Sequence, residues 1–310
     1  MTASTRPNPT APDLGNLRAA GWMTGAMAMF AVEDAAIKVL GVRLGAGQIV
    51  TALGVAGLAV FWALLARDGG RLWTRDLLRP AVVLRNAGEL LGTLCFVSAL
   101  ALSDLASASA ILQALPLALV MGGALFLGER VGWRRWAAIL AGFAGVLMIV
   151  RPGTAAFQPA SLLALVAVAG LALRDLSTRR MPRHVPSHQL SASAYAALIP
   201  GGLALAAAEG RAMLVPDRAE ALALVVAVLV GTLGYAMMVR ATRVGEASAV
   251  APFRYTRLVF TLVLAVAFFG ERPDAATLAG AAVIVGAGSF AMWREFRRAR
   301  AARPPPGTRV

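Results

Sequence analysis

The stretch LASASAILQALPLALVMGGALFLGERVGWRRWAAILAGFAGVLMIV, residues 105–150, carries 4 charged side chains, and all of them sit in one turn: Glu129, Arg130, Arg134 and Arg135. On either side the chain is apolar, over 105–127 and again over most of 133–150. Roughly 20 apolar residues, at about 1.5 Å of rise each, cross the ~30 Å hydrocarbon core of a bilayer. Two such runs joined by a charged turn predict a helical hairpin through a membrane, because a backbone in lipid must satisfy its own hydrogen bonds.

Outward from the hairpin the same alternation repeats. Further spans are expected at 19–40, 47–66, 80–102, 160–178, 188–209, 219–240, 247–269 and 275–293, ten in all. Composition agrees: of 310 residues 58% are hydrophobic and 15% charged, with a mean hydropathy of +0.70. A soluble domain carries about 25% charge. The run Met23–Val32 resembles the apolar part of a signal peptide, but Glu33, Asp34 and Lys38 follow it in place of a small-residue cleavage site, so it reads as the first span. Residues 1–18 and 294–310 read as a disordered cytoplasmic tail and a basic cytoplasmic tail, rich in Pro, Thr and Asn or in Arg.

Net charge is +14, and all but one of the 30 cations are arginines. They cluster in the short breaks between apolar runs, not along a stripe interleaved with aromatics, which argues against nucleic acid as a partner. With ten spans, 20 cations gather in the tails and on alternate loops at one end of the bundle, against five (Arg43, Arg151, Arg211, Arg218, Arg272) at the other. The positive-inside bias then predicts both termini in the cytoplasm and the chain in the cell inner (plasma) membrane. The single cysteine, Cys95, excludes an intrachain disulfide, and the two histidines, His184 and His188, share a polar loop without metal-ligand spacing.

An internal repeat is visible. Leu127-Gly128-Glu129-Arg130 closes the fourth span and Phe269-Gly270-Glu271-Arg272 the ninth, 142 residues apart. Glu33-Asp34 with Lys38 matches Arg174-Asp175 with Arg179 at an offset of 141. Five spans per copy is an odd number, so the copies insert in opposite senses, an architecture that puts a binding site near the midplane. The expected fold is all-α, ten transmembrane helices as two inverted five-helix repeats, 19–152 and 153–293.

Residues 106–153, with Pro116, Leu127-Gly128-Glu129-Arg130, Trp133–Trp136, Gly142-Phe143-Ala144-Gly145-Val146 and Arg151-Pro152-Gly153, resemble the drug/metabolite transporter superfamily, specifically its EamA-type members. Residues 245–293 match more loosely. The resemblance implies ten helices in two repeats and transport of amino acids, vitamins, nucleoside-like compounds or toxic organics. Many members carry an arginine after a Gln-Ile pair in the second span. Here Gln48-Ile49 is followed by Val50-Thr51-Ala52-Leu53, so the substrates of those members do not carry over.

Ionisable groups at membrane depth are costly and are therefore paired, internal and functional. Asp34 and Lys38 lie four apart on one helix face and are expected to form a structural ion pair. Glu33 points elsewhere and can take a substrate ammonium or a proton. Arg85 and Glu89 are also four apart, so Glu89 is either a midplane binding carboxylate or merely neutralised by Arg85. Asp175 and Arg179 repeat the spacing of Asp34 and Lys38 and are read as another structural pair. Arg254 and Arg257, flanking Tyr255, lack a local acid and suit an oxyanion through their forked donors, with an Arg257–Glu89 bridge as the alternative. Gln113, Pro116 and Pro252 lie at mid-helix depth, where a proline frees a carbonyl or kinks the span. Tyr235 and Tyr255 could stack on a planar solute or simply pack between helices. Glu129 and Glu271 are read as structural, Glu129 as a cap for the next helix.

The expected activity is therefore secondary active transport of a small organic metabolite, such as an amino acid, a vitamin like riboflavin or an adenosyl compound. The 310 residues contain no Walker motif, so a proton gradient or exchange is expected to drive it. A membrane-embedded enzyme would need clustered carboxylates, a histidine set or a serine–histidine pair, and a channel a repeated polar lining. Neither pattern is present. No catalytic residue, metal or cofactor is expected. The partners are the solute and the lipid bilayer, with a homodimer left open beside a monomer.

Overall fold

The computed structural model describes residues 14–129, 131–181, 185–244 and 250–301, and these form helices and short turns with no strand among them. In chain order the helices are α1 (Leu14–Leu40), α2 (Ala46–Arg67), α3 (Pro80–Leu102), α4 (Leu105–Leu112), α5 (Leu115–Phe126), α6 (Trp133–Val150), α7 (Ala160–Arg179), α8 (Ser187–Glu209), α9 (Arg218–Val244), α10 (Thr256–Phe269) and α11 (Ala275–Ala301). Among the described residues nine segments are long and apolar enough to cross a membrane. The tenth is α1, whose 27 residues suffice in length while Glu33, Asp34 and Lys38 dilute its hydrophobicity. The fold is thus the expected ten-span, two-repeat bundle.

Several boundaries differ from expectation. Helix α1 begins at Leu14, inside the stretch read as a tail, and α11 runs to Ala301, past the expected end at 293. Residues 1–13 and 302–310 of the two expected tails lie outside the described residues. So do Arg130, His184 and residues 247–249 of the ninth span. The fourth span is not continuous: α4 ends at Leu112, Gln113 and Ala114 form a turn, and Pro116 enters the first turn of α5, where its missing N–H costs nothing. The ninth span breaks at the equivalent place, a 3₁₀ turn over Ala251–Tyr255 leading into α10. The first break lies inside the protein, with Gln113 and Ala114 buried, whereas in the second Pro252 and Phe253 are exposed and Tyr255 is buried.

The repeats interlock. The most extensive helix pairings join one copy to the other: α1 with α9, α3 with α7, α2 with α8 and α6 with α11. The first two are equivalent under the internal repeat. Small residues make them possible, because lipid supplies no hydrophobic drive between helices and only close backbone approach gains contact energy. A Cβ on Gly170 of α7 would lie 2.6 Å from the Gly92 nitrogen of α3, and one on Gly280 of α11 would lie 2.5 Å from the Gly145 carbonyl oxygen of α6. Large apolar side chains such as Leu140, Leu229, Val263 and Phe268 point outward, where lipid receives them.

Polar contacts join the two repeats at the arginine-poor end. Arg43 donates through Nε to Glu220 Oε1 at 2.6 Å and through Nη2 to Glu220 and, at 3.2 Å, to the Val215 carbonyl. Arg151 reaches Asp274, which also accepts from the Thr277 N–H at 2.8 Å. These partners pull the Asp274 carboxyl down to about 2, the Arg151 hydrogen bond contributing most. Glu271 accepts from the N–H groups of Leu105 (2.7 Å) and Ala106 (3.0 Å), so the turn closing the ninth span caps the helix that opens the fourth. Two glutamines play matching parts at the two ends. Gln48 bonds Leu214 in both directions, at 2.5 and 3.0 Å, and Gln189, 141 residues later, donates to the Leu72 carbonyl at 3.1 Å.

Candidate functional site

The intramembrane charges gather where the repeats cross, and their partners come from other helices more often than from the same one. On α1, Asp34 does not pair with Lys38. It accepts a forked pair of bonds from Arg257 at the start of α10, Nε at 3.0 Å and Nη2 at 2.7 Å, and its side chain is 2% exposed. Lys38 turns to the Ser103 carbonyl at the end of α3 instead. A helix face four residues long allowed the local pair, but a guanidinium fork satisfies both carboxylate oxygens and an ammonium only one. The Arg257 guanidinium also lies 5.4 Å from the Phe30 ring and 5.9 Å from that of Phe96.

On α3, Glu89 is not neutralised by Arg85, nor bridged by Arg257. Both its oxygens accept from Arg174 Nη1 of α7 at 3.3 Å, and Arg174 Nε donates to its neighbour Asp175 at 2.7 Å. Arg85 looks the other way, donating to the Leu190 carbonyl at 2.9 Å and the Asn86 side chain at 3.1 Å. Asp175 accepts from Arg174, while the Arg179 side chain of the expected Asp175–Arg179 pair lies outside what is described. Glu33 has no hydrogen bond or ion pair among the described residues, although Asp34, Arg257 and Glu89 all lie within its electrostatic reach.

Of the other expected residues, Gln113 at the α4–α5 break donates to the Arg254 carbonyl at 3.4 Å, linking the two broken spans. Arg254 itself approaches the Met238 sulfur of α9 at 3.8 Å. Tyr235 of α9 stands edge-on to Phe61 of α2, centroids 5.6 Å apart, and Tyr195 of α8 stacks on that ring at 5.4 Å. Tyr255 is not drawn in. Its hydroxyl is buried against Gly288 of α11 with no hydrogen-bond partner among the described residues.

Three members of the cluster were not among the expected site residues: Arg174, Tyr195 and Phe61. The repeat offset pointed to the first, since Arg174 occupies in the second copy the place of Glu33 in the first. Tyr195 lies in the apolar run 188–209 like Tyr235 in its own, a polar ring at membrane depth. Nothing in the local sequence singles out Phe61 among the lipid-facing and interior apolar residues of its span.

At about 1.5 Å per residue, Glu89 lies roughly 13 Å from the start of α3, near the midplane. Its side chain, Arg174 and Asp175 are 21%, 24% and 26% exposed. An ion turned toward hydrocarbon at that depth costs several kcal/mol, which argues that these partly exposed side chains face the space between the repeats and not lipid. Charged side chains fixed at mid-depth between two interlocked helical repeats define a polytopic membrane protein.

Comparison with known proteins agrees. Residues 17–151 and 158–293 each match the EamA-like transporter family, and the chain belongs to that family. It is 26% identical over 276 residues to an S-adenosylmethionine uptake transporter of Rickettsia bellii, covering 89% of this chain and 93% of the other. A riboflavin transporter of Rhizobium johnstonii is 32% identical over 212 residues, 68% of this chain and 69% of its own. The pseudopaline exporter CntI of Pseudomonas aeruginosa is 29% identical over 263 residues, 83% and 89% of the two chains. A protein of known crystal structure shares the fold, with a TM-score of 0.59 at 22% identity over 91% of this chain and 99% of its own. The protein is a multi-pass membrane transporter of a small metabolite, not an enzyme.

Proposed function

We propose that the chain is a secondary active transporter of the cell inner membrane, with both termini in the cytoplasm, which alternates access to the cleft around Glu33, Glu89 and Arg174. The observation that carries this reading is the partial exposure of the Glu89–Arg174–Asp175 group at mid-depth. Such a group meets solvent from one side at a time only if the repeats rock about it. Its substrate is a small organic solute with charged groups and a planar ring, in the range of amino acids, riboflavin-like vitamins and adenosyl compounds. The relatives named above fall within or near that range and work in both directions, uptake and export.

Coupling runs through a carboxylate that can exchange a proton with the cleft, Glu33 or Glu89. Glu33 suits the task because no side chain neutralises it directly, whereas Glu89 already holds Arg174. The test is a radiolabelled uptake panel in membrane vesicles, with and without an imposed pH gradient. At least one solute of the named classes should accumulate, and Glu33→Gln with Glu89→Gln should remove the response to the gradient. Accumulation that stays gradient-dependent in both variants would place coupling elsewhere.

A further inference from the structure

The two equivalent helix crossings, α1 with α9 and α3 with α7, differ at one point. At α3/α7 the crossing is bridged by Arg174 and Glu89. Shifting each by the repeat offset, 141 residues for Arg174 and 142 for Glu89, gives Glu33 on α1 and Gly231 on α9. The correspondence is spatial as well as numerical. A Cβ on Gly231 would lie 2.6 Å from Glu33 Oε1, so the carboxylate rests directly on the α9 backbone. One turn on, Gly234 packs against Met29 and Phe30, just as its counterpart Gly92 packs against Gly170 and Leu171. One copy thus completes an ion pair across the crossing. The other presents an acid to a residue with no side chain.

The surroundings of Glu33 favour a cation. Tyr235 stands one helical turn from Gly231 on α9 and forms, with Phe61 and Tyr195, a three-ring cluster whose Tyr195 lies in the electrostatic field of Glu33. Ring faces attract cations and stack on planar groups. Arg257, which lies in the electrostatic field of Glu33, has its fork occupied by Asp34, and Asp34 and Glu89 add negative field at Glu33. The sequence alone had suggested Arg254 and Arg257 as an oxyanion site. With Arg257 occupied by Asp34, the acid left without a partner is Glu33.

We infer that Glu33, seated on Gly231 one helical turn from Tyr235, recognises the cationic centre of the solute, whose planar ring packs on the cluster of Phe61, Tyr195 and Tyr235. The inference rests on the transporter reading above and narrows it to a positively charged ring compound. The missing half of the α1/α9 bridge is supplied by the substrate, so loading the site repeats in the first copy the charge pairing that the second copy contains permanently.

A matched pair of ligands tests this: S-adenosylmethionine, whose sulfonium is a fixed positive charge, and S-adenosylhomocysteine, which lacks one methyl and that charge. Equilibrium binding to the purified full-length protein in lipid nanodiscs should favour the sulfonium by about tenfold or more. Glu33→Gln should erase the preference, and Gly231→Ala should weaken it by displacing the carboxylate. The double variant Glu33→Arg/Gly231→Glu should keep the wild-type thermal unfolding temperature, because it rebuilds the Arg174–Glu89 bridge, and lose sulfonium binding. Equal binding of the two ligands by wild type, binding of neither, or a preference that survives Glu33→Gln overturns the inference. If the uptake panel finds a neutral or anionic solute whose transport ignores Glu33→Gln, the transporter reading stands and only the cation assignment falls.

Discussion

A buried acid is stable only as long as its partner is present, and Asp34 is the clearest case. Its side chain is 2% exposed and both its oxygens are taken by Arg257. Removing one member of such a pair leaves a bare charge in low dielectric and costs about 3–5 kcal/mol, while replacing both members with neutral groups costs far less. Arg257→Gln should therefore lower the thermal midpoint in detergent sharply, and Asp34→Asn added to it should recover most of the loss. If the double variant is no more stable than the single one, the pair is not the reason Arg257 is needed for folding. The same logic separates Asp34 from its neighbour. Glu33 has no side-chain partner to lose, so Glu33→Gln should leave the midpoint close to wild type while changing what the cleft binds.

Between helices the decisive quantity is backbone distance. Gly170 lies where any Cβ would fall 2.6 Å from the Gly92 nitrogen, a backbone atom that cannot yield without separating α3 from α7. Gly170→Val should cost at least about 1–3 kcal/mol through overpacking and pull Arg174 away from Glu89. Loss of stability and loss of transport should appear together, whereas Gly21→Ala on α1, which meets nothing within 4 Å, should change neither. Helix α4 depends on a different contact. Glu271→Ala strips two donors of their acceptor at its N-terminus and should cost about 1 kcal/mol, with Glu271→Gln intermediate because one oxygen remains to accept. How far these elements could be read from sequence follows from the same physics. Apolar length fixes the spans, and the repeated Gly-Glu-Arg turns fix the two copies. The breaks at Gln113 and at Ala251–Tyr255 were legible only as proline-bearing positions of uncertain effect. Ion pairing was legible along one helix, at spacings of three and four, and between helices only as an Arg257–Glu89 bridge; the partners of Asp34 and Glu89 are instead Arg257 and Arg174, 223 and 85 residues away. The offset that maps Glu33 onto Arg174 was the one long-range clue the sequence offered.

The whole molecule has unequal ends. At the arginine-poor end Arg43 binds Glu220 and Arg151 binds Asp274, and these two bridges join segments from different repeats. The repeat offset maps Glu220 to Leu78 and Asp274 to Gly132, so neither acid has a counterpart at the opposite end. If both termini are cytoplasmic, as the arginine bias predicts, the bridged end faces outward, and tags on either terminus should be reached only by reagents admitted to the cytoplasm. The Asp274 carboxyl, pulled from an ordinary value near 3.8 to about 2, adds stability to the closed end that is complete above pH ~4 and is lost only as pH falls toward 2. That bridge therefore contributes nothing to any change of transport between pH 5 and 8. Its contribution to opening can be measured directly. Both bridges keep at least one partly exposed partner and weaken with salt, so removing one should shift the closed-to-open equilibrium toward the open state. Spin labels at Val42 and Val215, both strongly exposed beside Arg43, report the gap across the bridge. In wild type the distance distribution should be short and narrow. Arg43→Gln should add a longer component, Arg43→Gln with Arg151→Gln should enlarge it, and about 1 M salt should do the same to wild type alone. A distribution that none of these changes would mean that apolar packing, and not the bridges, holds the outer end closed.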